Sequence, residues 1–599
     1  MRSIGRKLIG AGIGVLGMVG CYDLTVDNSA GVGREEVLTS PRDTEIFIAG
    51  VFVPMWAAMT NGYPWMGLSA MADQIETSRI NYGVFEVSRE PRQEFNNHPT
   101  YVRYDLIDLP WRLLYETNSN AIDGLNTINQ GLRIIDPGTR VDNTDRAWSF
   151  AKMIQGTIHT YIGMLYDQGA IVSDTVDLKE IPLLPLKPYR EVVDSGIMYL
   201  NDALEVLEDA SFTIPQERAL WVYGVRSSSA ELRQFIHSSI ARAMAYSART
   251  PAERAAVDWE QVIYHADRGL VANFGPIGAP NAILNYGYAI AANAHASANF
   301  AGNTTNLPGS ARVDLKIVGP ADTSAAYRDW MKRLYGYGGV ILPGADSIHP
   351  PAVNTPDLRI EAAGTPDVNL KTVPWIIRYT PLDPPNSTAG MRLADGKRFM
   401  SNYWFNGLAP FGNDPARLIE RPHVVIAPDE MQFLKAEGLI RLGRAQDAVD
   451  IINRTRTEPV GGLPNLPEIQ LLGAGPALLI APEDSSSCVP KRIKVVTVQN
   501  PTGGTKESGE CGDLWDALMY EKRLVTFGYD ALSAYGDMRG WGCLAPGTML
   551  HFPVPAFELD LIGVPTYTFG GNPGAPGSAG TPDPQRCQMF FDFSTPSGT

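Results

Sequence analysis

The stretch Glu437-Gly438-Leu439-Ile440-Arg441-Leu442-Gly443-Arg444-Ala445-Gln446-Asp447-Ala448 joins two helical periods. Ahead of it, Pro428 stands at a helix start, with Asp429 and Glu430 in the first turn, where negative charge meets the positive end of the helix dipole. Met431, Phe433, Leu434, Leu439 and Leu442 follow close to a 3.6-residue period. Gly443 supplies the stop. Ala445, Ala448, Val449 and Ile452 then recur at i, i+3, i+4 and i+7. The reading is an antiparallel helix hairpin with a turn of about two residues. Small Ala436 and Ala448 let the two helices approach. Ala436, Leu439, Ala448 and Ile452 fit the tetratricopeptide alternation of small and large residues.

The start of the chain reads as an address. Arg2, Arg6 and Lys7 precede Leu8 to Gly20, an apolar, Gly-rich run of thirteen residues. That is too short to span a bilayer as a helix and suits a signal-peptide core. It ends in Met18-Val19-Gly20-Cys21, the order of a bacterial lipoprotein signal: a large apolar residue, two small ones, then a Cys whose thiol is acylated. An ordinary secretory signal beside a coincidental Cys is the alternative. The place of Cys21 at the end of the apolar run, with polar residues after it, favours lipidation. Each buried acyl methylene contributes about 0.8 kcal/mol, so two or three chains on Cys21 anchor the protein without a transmembrane segment. Residues 1–20 are thus read as the signal and 21–39 as a tether.

Four of the five cysteines remain: Cys488, Cys511, Cys543 and Cys587. In an exported chain they predict two disulfides. Proximity suggests Cys488 with Cys511 and Cys543 with Cys587, among three possible connectivities. No C-x-x-C spacing occurs, so no zinc site is expected. Removing 20 of the 599 residues leaves 579 and takes the formal charge from −15 to −18. An acidic surface of this kind argues against nucleic acid and against anionic membrane contact. Sulfated or uronic-acid ligands are disfavoured too, unless a local basic patch exists.

Along the chain, Ser40-Pro41 predicts a helix N-terminus running to about Met59. Asn61 to Thr100 reads as irregular, and Pro110 as opening the next helix. Thr144–Gln168, Tyr189–Leu207, Ser229–Arg249, Trp259–Leu270 and Asp513–Phe527 are further helical stretches. Residues 272–426 are dominated by Gly, Pro, Asn and aromatics and carry no long helical period. A structureless loop of that length is implausible in a compact domain, so it is read as an inserted lobe. The fold class is mainly α: helix pairs over 40–271, an irregular lobe at 272–426, and a C-terminal region at 427–599 with the central hairpin and a cysteine-bearing, loop-rich tail.

Further signals become specific in combination. Glu521-Lys522-Arg523 is followed by Asp537-Met538-Arg539-Gly540-Trp541-Gly542 and then by Phe552-Pro553-Val554-Pro555-Ala556-Phe557-Glu558-Leu559. With Ala436-Glu437-Gly438 and Ile452-Asn453-x-x-Arg456, this order resembles the SusD/RagB family of outer-membrane nutrient-binding lipoproteins. The departures are Val525 and Phe527-Gly528 where glutamates are usual, and Gly540-Trp541 for an Arg-Trp pair, which mark a divergent branch. Glu521, Arg523, Asp537 and Arg539 are expected to be ion-paired groups fixing the last helices, and Trp541 to be core.

The resemblance implies four tetratricopeptide-like helix pairs and a lipid-anchored, cell-surface protein without catalysis or cofactor. It implies a lid over a SusC-like TonB-dependent channel, to which the protein delivers oligosaccharide or polysaccharide. Peptide capture or a ligand-free scaffold are the alternatives. Sugars offer flat C–H faces ringed by hydroxyls, so binding candidates are aromatics beside polar residues. Three clusters qualify: Tyr63, Trp65, Asp73 and Tyr82; Trp330, Tyr335 and Tyr337; and Asn402, Tyr403, Trp404, Phe405 and Asn406. Trp375, Arg378 and Tyr379 form a weaker fourth. No H-E-x-x-H, G-x-S-x-G or P-loop occurs, so an enzyme is not expected. A pair of carboxylates at glycosidase spacing is the one catalytic arrangement a sequence cannot rule on.

Overall fold

The structure, a computed structural model, describes residues 37–60, 62–76, 87–90, 92, 94–101, 104–176, 184–217, 220–275, 312–334, 351–360, 376–378, 403–405, 425–460, 463–464, 466–471, 479–480, 488–499, 503–527, 531–568 and 579–593. The signal, Cys21 and most of the tether lie outside them.

The chain is mainly helical. Its first part holds α1 (Pro41–Ala49), α2 (Phe52–Thr60), α3 (Gly62–Met71), β1 (Ile75–Glu76), α4 (Asp105–Asn129), α5 (Thr144–Leu165), β2 (Gln168–Ala170), β3 (Leu186–Pro188) and α6 (Tyr189–Asp209). Then come β4 (Thr213–Ile214), β5 (Ser227–Ser228), α7 (Ser229–Tyr246), α8 (Pro251–Ala255) and α9 (Trp259–Ala266). The lobe contributes β6 (Arg312–Val313), α10 (Leu315–Val318), a 3-10 turn (Gly319–Ala321), α11 (Ala326–Leu334), β7 (Ile376–Arg378) and β8 (Tyr403–Phe405). The C-terminal region has α12 (Pro428–Arg441), α13 (Ala445–Thr457), β9 (Pro459–Val460), β10 (Leu463–Pro464), β11 (Gln470–Leu471) and β12 (Leu479–Ile480). It closes with β13 (Lys491–Gln499), β14 (Thr505–Cys511), α14 (Leu514–Val525), α15 (Ala531–Trp541) and α16 (Ala556–Leu561). The described strands pair two by two, all antiparallel.

The central hairpin forms as its residues dictate. Pro428 opens α12, and Gly443 takes φ +77° between the helices, a conformation that costs glycine nothing. Ala436 and Ala448 are fully buried at the crossing. With Leu439 and Ile452 they pack on Leu514, Ala517 and Leu518 of α14. A close backbone approach lies elsewhere, between α5 and α6. A Cβ built on Gly196 would come within 2.7 Å of the Thr160 backbone nitrogen, and one on Gly156 within 2.8 Å of the Gly196 carbonyl. Any side chain there would force the helices apart.

Several boundaries differ from the sequence reading. The first predicted helix breaks at Gly50 and Val51 into α1 and α2. Asn61–Thr100 is not irregular throughout, because residues 62–71 form α3. The side chains from Trp65 to Met71 are buried all round the helix, so no amphipathic period exists to detect. Pro110 lies inside α4, which starts at Asp105. At the sixth residue of the helix, past the first turn, its missing N–H removes one i→i−4 hydrogen bond, which the rest of this long, buried helix outweighs. Within the lobe, α11 is a short amphipathic helix that the Gly- and Pro-rich surroundings concealed.

The lobe joins the helical body through one continuous core, which includes Trp330, Val353 and Tyr403 with the helical residues. Both disulfides occur as proximity suggested: Cys488–Cys511 closes the foot of the β13–β14 hairpin, and Cys543–Cys587 ties the tail to the end of α15.

Candidate functional site

The structure brings β1, which follows Asp73, and β8, which carries Tyr403 and Trp404, next to the same strand, β6. The chain leaves α3, turns at Asp73 in the left-handed region (φ 51°), and enters β1. β1 pairs with β6, with Ile75 opposite Val313, and β6 lies against β8, which carries Tyr403 and Trp404. β8 pairs with β7, setting Trp404 opposite Ile377 and Tyr403 opposite Arg378. Segments more than 300 residues apart in sequence thus form one junction between the body and the lobe.

The individual candidates fall differently. Trp65 is 3% exposed and Trp330 and Tyr403 are 0% exposed, so none offers a free ring face to a sugar. This corrects the expectation of exposed platforms at these three positions. Trp65 faces inward because α3 is buried, and Trp330 sits on the apolar side of α11. The Tyr403 hydroxyl accepts a hydrogen bond from the Val353 N–H at 2.9 Å, tying β8 to the 351–360 segment. Tyr63 lies on α3 and Trp404 on β8. Tyr82, Tyr335, Tyr337, Asn402 and Asn406 lie outside the described residues, as do Trp375 and Tyr379.

Asp73 is a structural ion rather than a ligand contact. It is buried and pairs with Arg92 and, at 3.0 Å, with Lys316; Lys316 also pairs with Glu90. Burial works against the Asp73 carboxylate, but Lys316 and Arg92 outweigh it and leave its pKa lowered. Burial pushes Glu76 and Asp314 well up, with neighbouring carboxylates adding to it. Lys316 fills the middle of this carboxylate cluster and fixes α10 of the lobe to the end of α3. Sequence inspection missed the group because its members are spread over some 240 residues, with no local spacing to betray them.

Glu437, Arg456, Glu521, Asp537, Arg539 and Trp541, among the residues that carry the family resemblance, are buried and spent on architecture. Arg359 of the lobe makes paired hydrogen bonds to both Asp357 and Glu521 at 2.6–3.0 Å, and Arg456 adds a third partner to Glu521. This network joins the 351–360 segment to α13 and α14. Arg254 donates to Glu437 and to Asp537, Lys522 donates to Asp537, and the Trp541 indole donates to Glu437 at 3.2 Å. Burial would raise the Glu437 carboxyl, yet Arg254, Arg441 and Lys522 hold it well below the usual range. Asp537, beside Glu437, is pushed up to about 6 by burial against the pull of Lys522 and Arg254.

Glu521 and Asp537 are thus ion-paired, and Trp541 is core, as expected. Among the described residues Arg523 and Arg539 have no ion-pair partner. Arg523 donates to the carbonyls of Ala72 and Asp73, and Arg539 to those of Leu550, Met164 and Tyr246. Each acts as a cap for orphan helix-end and loop carbonyls.

A shallow crevice lies between residues 319–328 and the β13–β14 hairpin, lined by Asp322, Arg328, Lys491 and Arg492 among others. Its cations are engaged: Arg328 with Asp329, Arg492 with Asp513 and Asp516, and Lys491 with Ser508. Among the described residues no group of three or more His, Cys, Asp or Glu side chains could hold a metal ion. His237 and His265 place their Nδ1 atoms 2.8 Å apart with ring centroids 5.0 Å apart. The two nitrogens therefore face each other almost in line, as in an N–H···N bond. Ligands converging on one ion at about 2.0–2.1 Å would bring the centroids closer for the same nitrogen separation.

No family model matches the chain, and no curated protein does. Solved structures do. A SusD superfamily protein from Bacteroides vulgatus aligns over 88% of this chain and 97% of its own, at 12% identity and a TM-score of 0.46. A SusD superfamily protein from Bacteroides thetaiotaomicron aligns over 87% and 96%, at 14% identity and a TM-score of 0.46. A SusD-like carbohydrate binding protein from Bacteroides vulgatus aligns over 79% and 90%, at 12% identity and a TM-score of 0.40.

Proposed function

We propose that this chain is a divergent SusD/RagB-type lipoprotein, anchored at Cys21 to the outer membrane and facing the cell exterior. It binds oligosaccharide or polysaccharide and passes it to a SusC-like TonB-dependent channel. The observation that carries the reading is the use made of the resemblance residues. Glu437, Arg456, Glu521, Asp537 and Trp541 come from separate stretches and meet in two buried networks, one of which fixes the lobe to the helix pairs. That these residues work jointly in one fold supports the reading. The signal ending in Cys21 supports the address, and the acidic charge supports a neutral ligand.

With Trp65, Trp330 and Tyr403 in the core, the aromatic candidates that remain for ligand capture are Tyr63, Tyr82, Tyr335, Tyr337 and Trp404, with Asn402 as a polar neighbour in sequence. Stacking on the sugar's apolar face holds the ligand, and amide groups sort its hydroxyls. The protein then does no chemistry.

The test uses the soluble chain from residue 22 in affinity electrophoresis and calorimetry against neutral glycans, acidic glycans and mixed peptides. Retention by one neutral glycan class, lost in Trp404→Ala or Tyr335→Ala, is the expected result. Binding to peptides alone would move the protein to peptide capture, and release of reducing ends would make it a hydrolase. Labelled palmitate should enter the full chain and be lost in Cys21→Ala.

A further inference from the structure

The short helix α16 presents an unusual face. Phe557 is 56% exposed, Leu561 66% and Ile562 40%. Phe557 and Leu561 stand one turn apart, and Ile562 stands one turn from Glu558, so the apolar stripe runs directly beside the acidic one. Large apolar side chains this exposed and this close together form a patch, which on a soluble surface marks an interaction site. The helix itself is firmly held. Ala556 and Leu559 are buried, the Phe557 N–H donates to the Tyr104 hydroxyl at 3.0 Å, and Asn97 binds the carbonyls of Val554 and Tyr567. The exposed residues are therefore not the slack end of a loose segment.

The rim is acidic. Asp108 at the start of α4 lies against Glu558 of α16 and beside Asp105, Asp560 joins Asp108 and Glu558 around the Tyr104 hydroxyl, and among the described residues the cation paired with this group is Arg112. Arg112 is itself 56% exposed and 3.6 Å from Asp108, a loose contact. Burial raises both Asp108 and Glu558, and each also pushes against a neighbouring carboxylate. Half-buried like charges of this kind are relieved by an incoming cation and aggravated by an anion.

We propose that the exposed face of α16, with its rim from the start of α4, is a docking surface for a basic segment of another protein. That segment carries Lys or Arg within about one helical turn of a large apolar side chain. The apolar stripe takes the large side chain, and Asp108 with Glu558 takes the cation. The proposal does not depend on the glycan reading.

A phage-displayed library of twelve-residue peptides, panned on the soluble chain from residue 22, tests this directly. Selected peptides should combine Lys or Arg with Phe, Leu, Ile or Trp. Their affinity should fall at least tenfold in Phe557→Ser and in Asp108→Asn/Glu558→Gln, and should weaken as salt rises. Phe557→Ser changes an exposed side chain, and an unaltered unfolding midpoint confirms that the variant is folded. No enrichment, enrichment of neutral or acidic peptides, or selected peptides that bind both variants as well as the parent would overturn the proposal.

Discussion

Replacing Arg359 with Met should loosen the lobe from the helices, and the structure sets the size of the effect. The Arg359 guanidinium makes four hydrogen bonds to two carboxylates, all within 3.0 Å, and the side chains of Arg359, Asp357 and Glu521 are 0% exposed. With Arg456 the group balances two cations against two anions. Methionine keeps much of the volume but leaves Asp357 and Glu521 to share Arg456. Breaking a buried pair from one side costs about 3–5 kcal/mol, because an uncompensated charge stays in the interior.

The variant has one escape, which is to protonate a carboxylate. Its folded-state carboxyl pKa then lies above the unfolded value, so the folded variant binds the extra proton and loses stability as pH rises. The gap to the parent should therefore be small near pH 4.5 and widen toward pH 8. Urea unfolding at several pH values measures the gap, and hydrogen exchange of peptides covering 351–360 locates it. Adding Asp357→Asn should recover part of the loss by removing one of the two stranded charges. A gap below about 1 kcal/mol at pH 8, or one independent of pH, would refute the reasoning, since buried charges without partners must show both.

Four further outcomes follow from single observations. His159 accepts from the Val172 N–H at Nε2 and so donates from Nδ1 to the Gln155 carbonyl; burial lowers its pKa from 6.5 to about 4. Its contribution is complete above pH 6.5 and is lost as pH falls toward 4, about 3 kcal/mol in all; urea midpoints across that window should fall less steeply in His159→Gln. Gly196→Ala should destabilise by about 1–3 kcal/mol through overpacking of α5 against α6, seen as a lower unfolding midpoint; an unchanged midpoint would mean the backbones are not in contact there. Cys543→Ser/Cys587→Ser should cost about 2–5 kcal/mol and free the tail to added protease, an effect that reducing agent reproduces in the parent. Trp65→Ala and Trp330→Ala should each lower stability by about 3–5 kcal/mol as core truncations, so any ligand binding lost in them at temperatures where they remain folded would restore these residues as contacts.

What the sequence determined by itself is what local periodicity and punctuation can carry. The α12–α13 hairpin was legible because Pro428, Gly443 and the alanines act over one or two turns. Both disulfides follow sequence proximity, and α5 and α6 read clearly because each has its own apolar period. α3 was illegible for the opposite reason: with apolar residues on nearly every side it has no pattern to read.

Only the tertiary structure decided which aromatics lie in the core. An aromatic beside Gly and Asn looks the same in sequence whether a neighbouring segment covers it or not, and Trp65, Trp330 and Tyr403 are covered by segments distant in the chain. The ion networks are of the same kind. Asp73 finds Lys316 across 243 residues and Arg359 finds Glu521 across 162, and no short-range spacing encodes either meeting. A buried charge needs a partner of opposite sign within hydrogen-bond reach, and which partner it meets is settled only once the chain has folded.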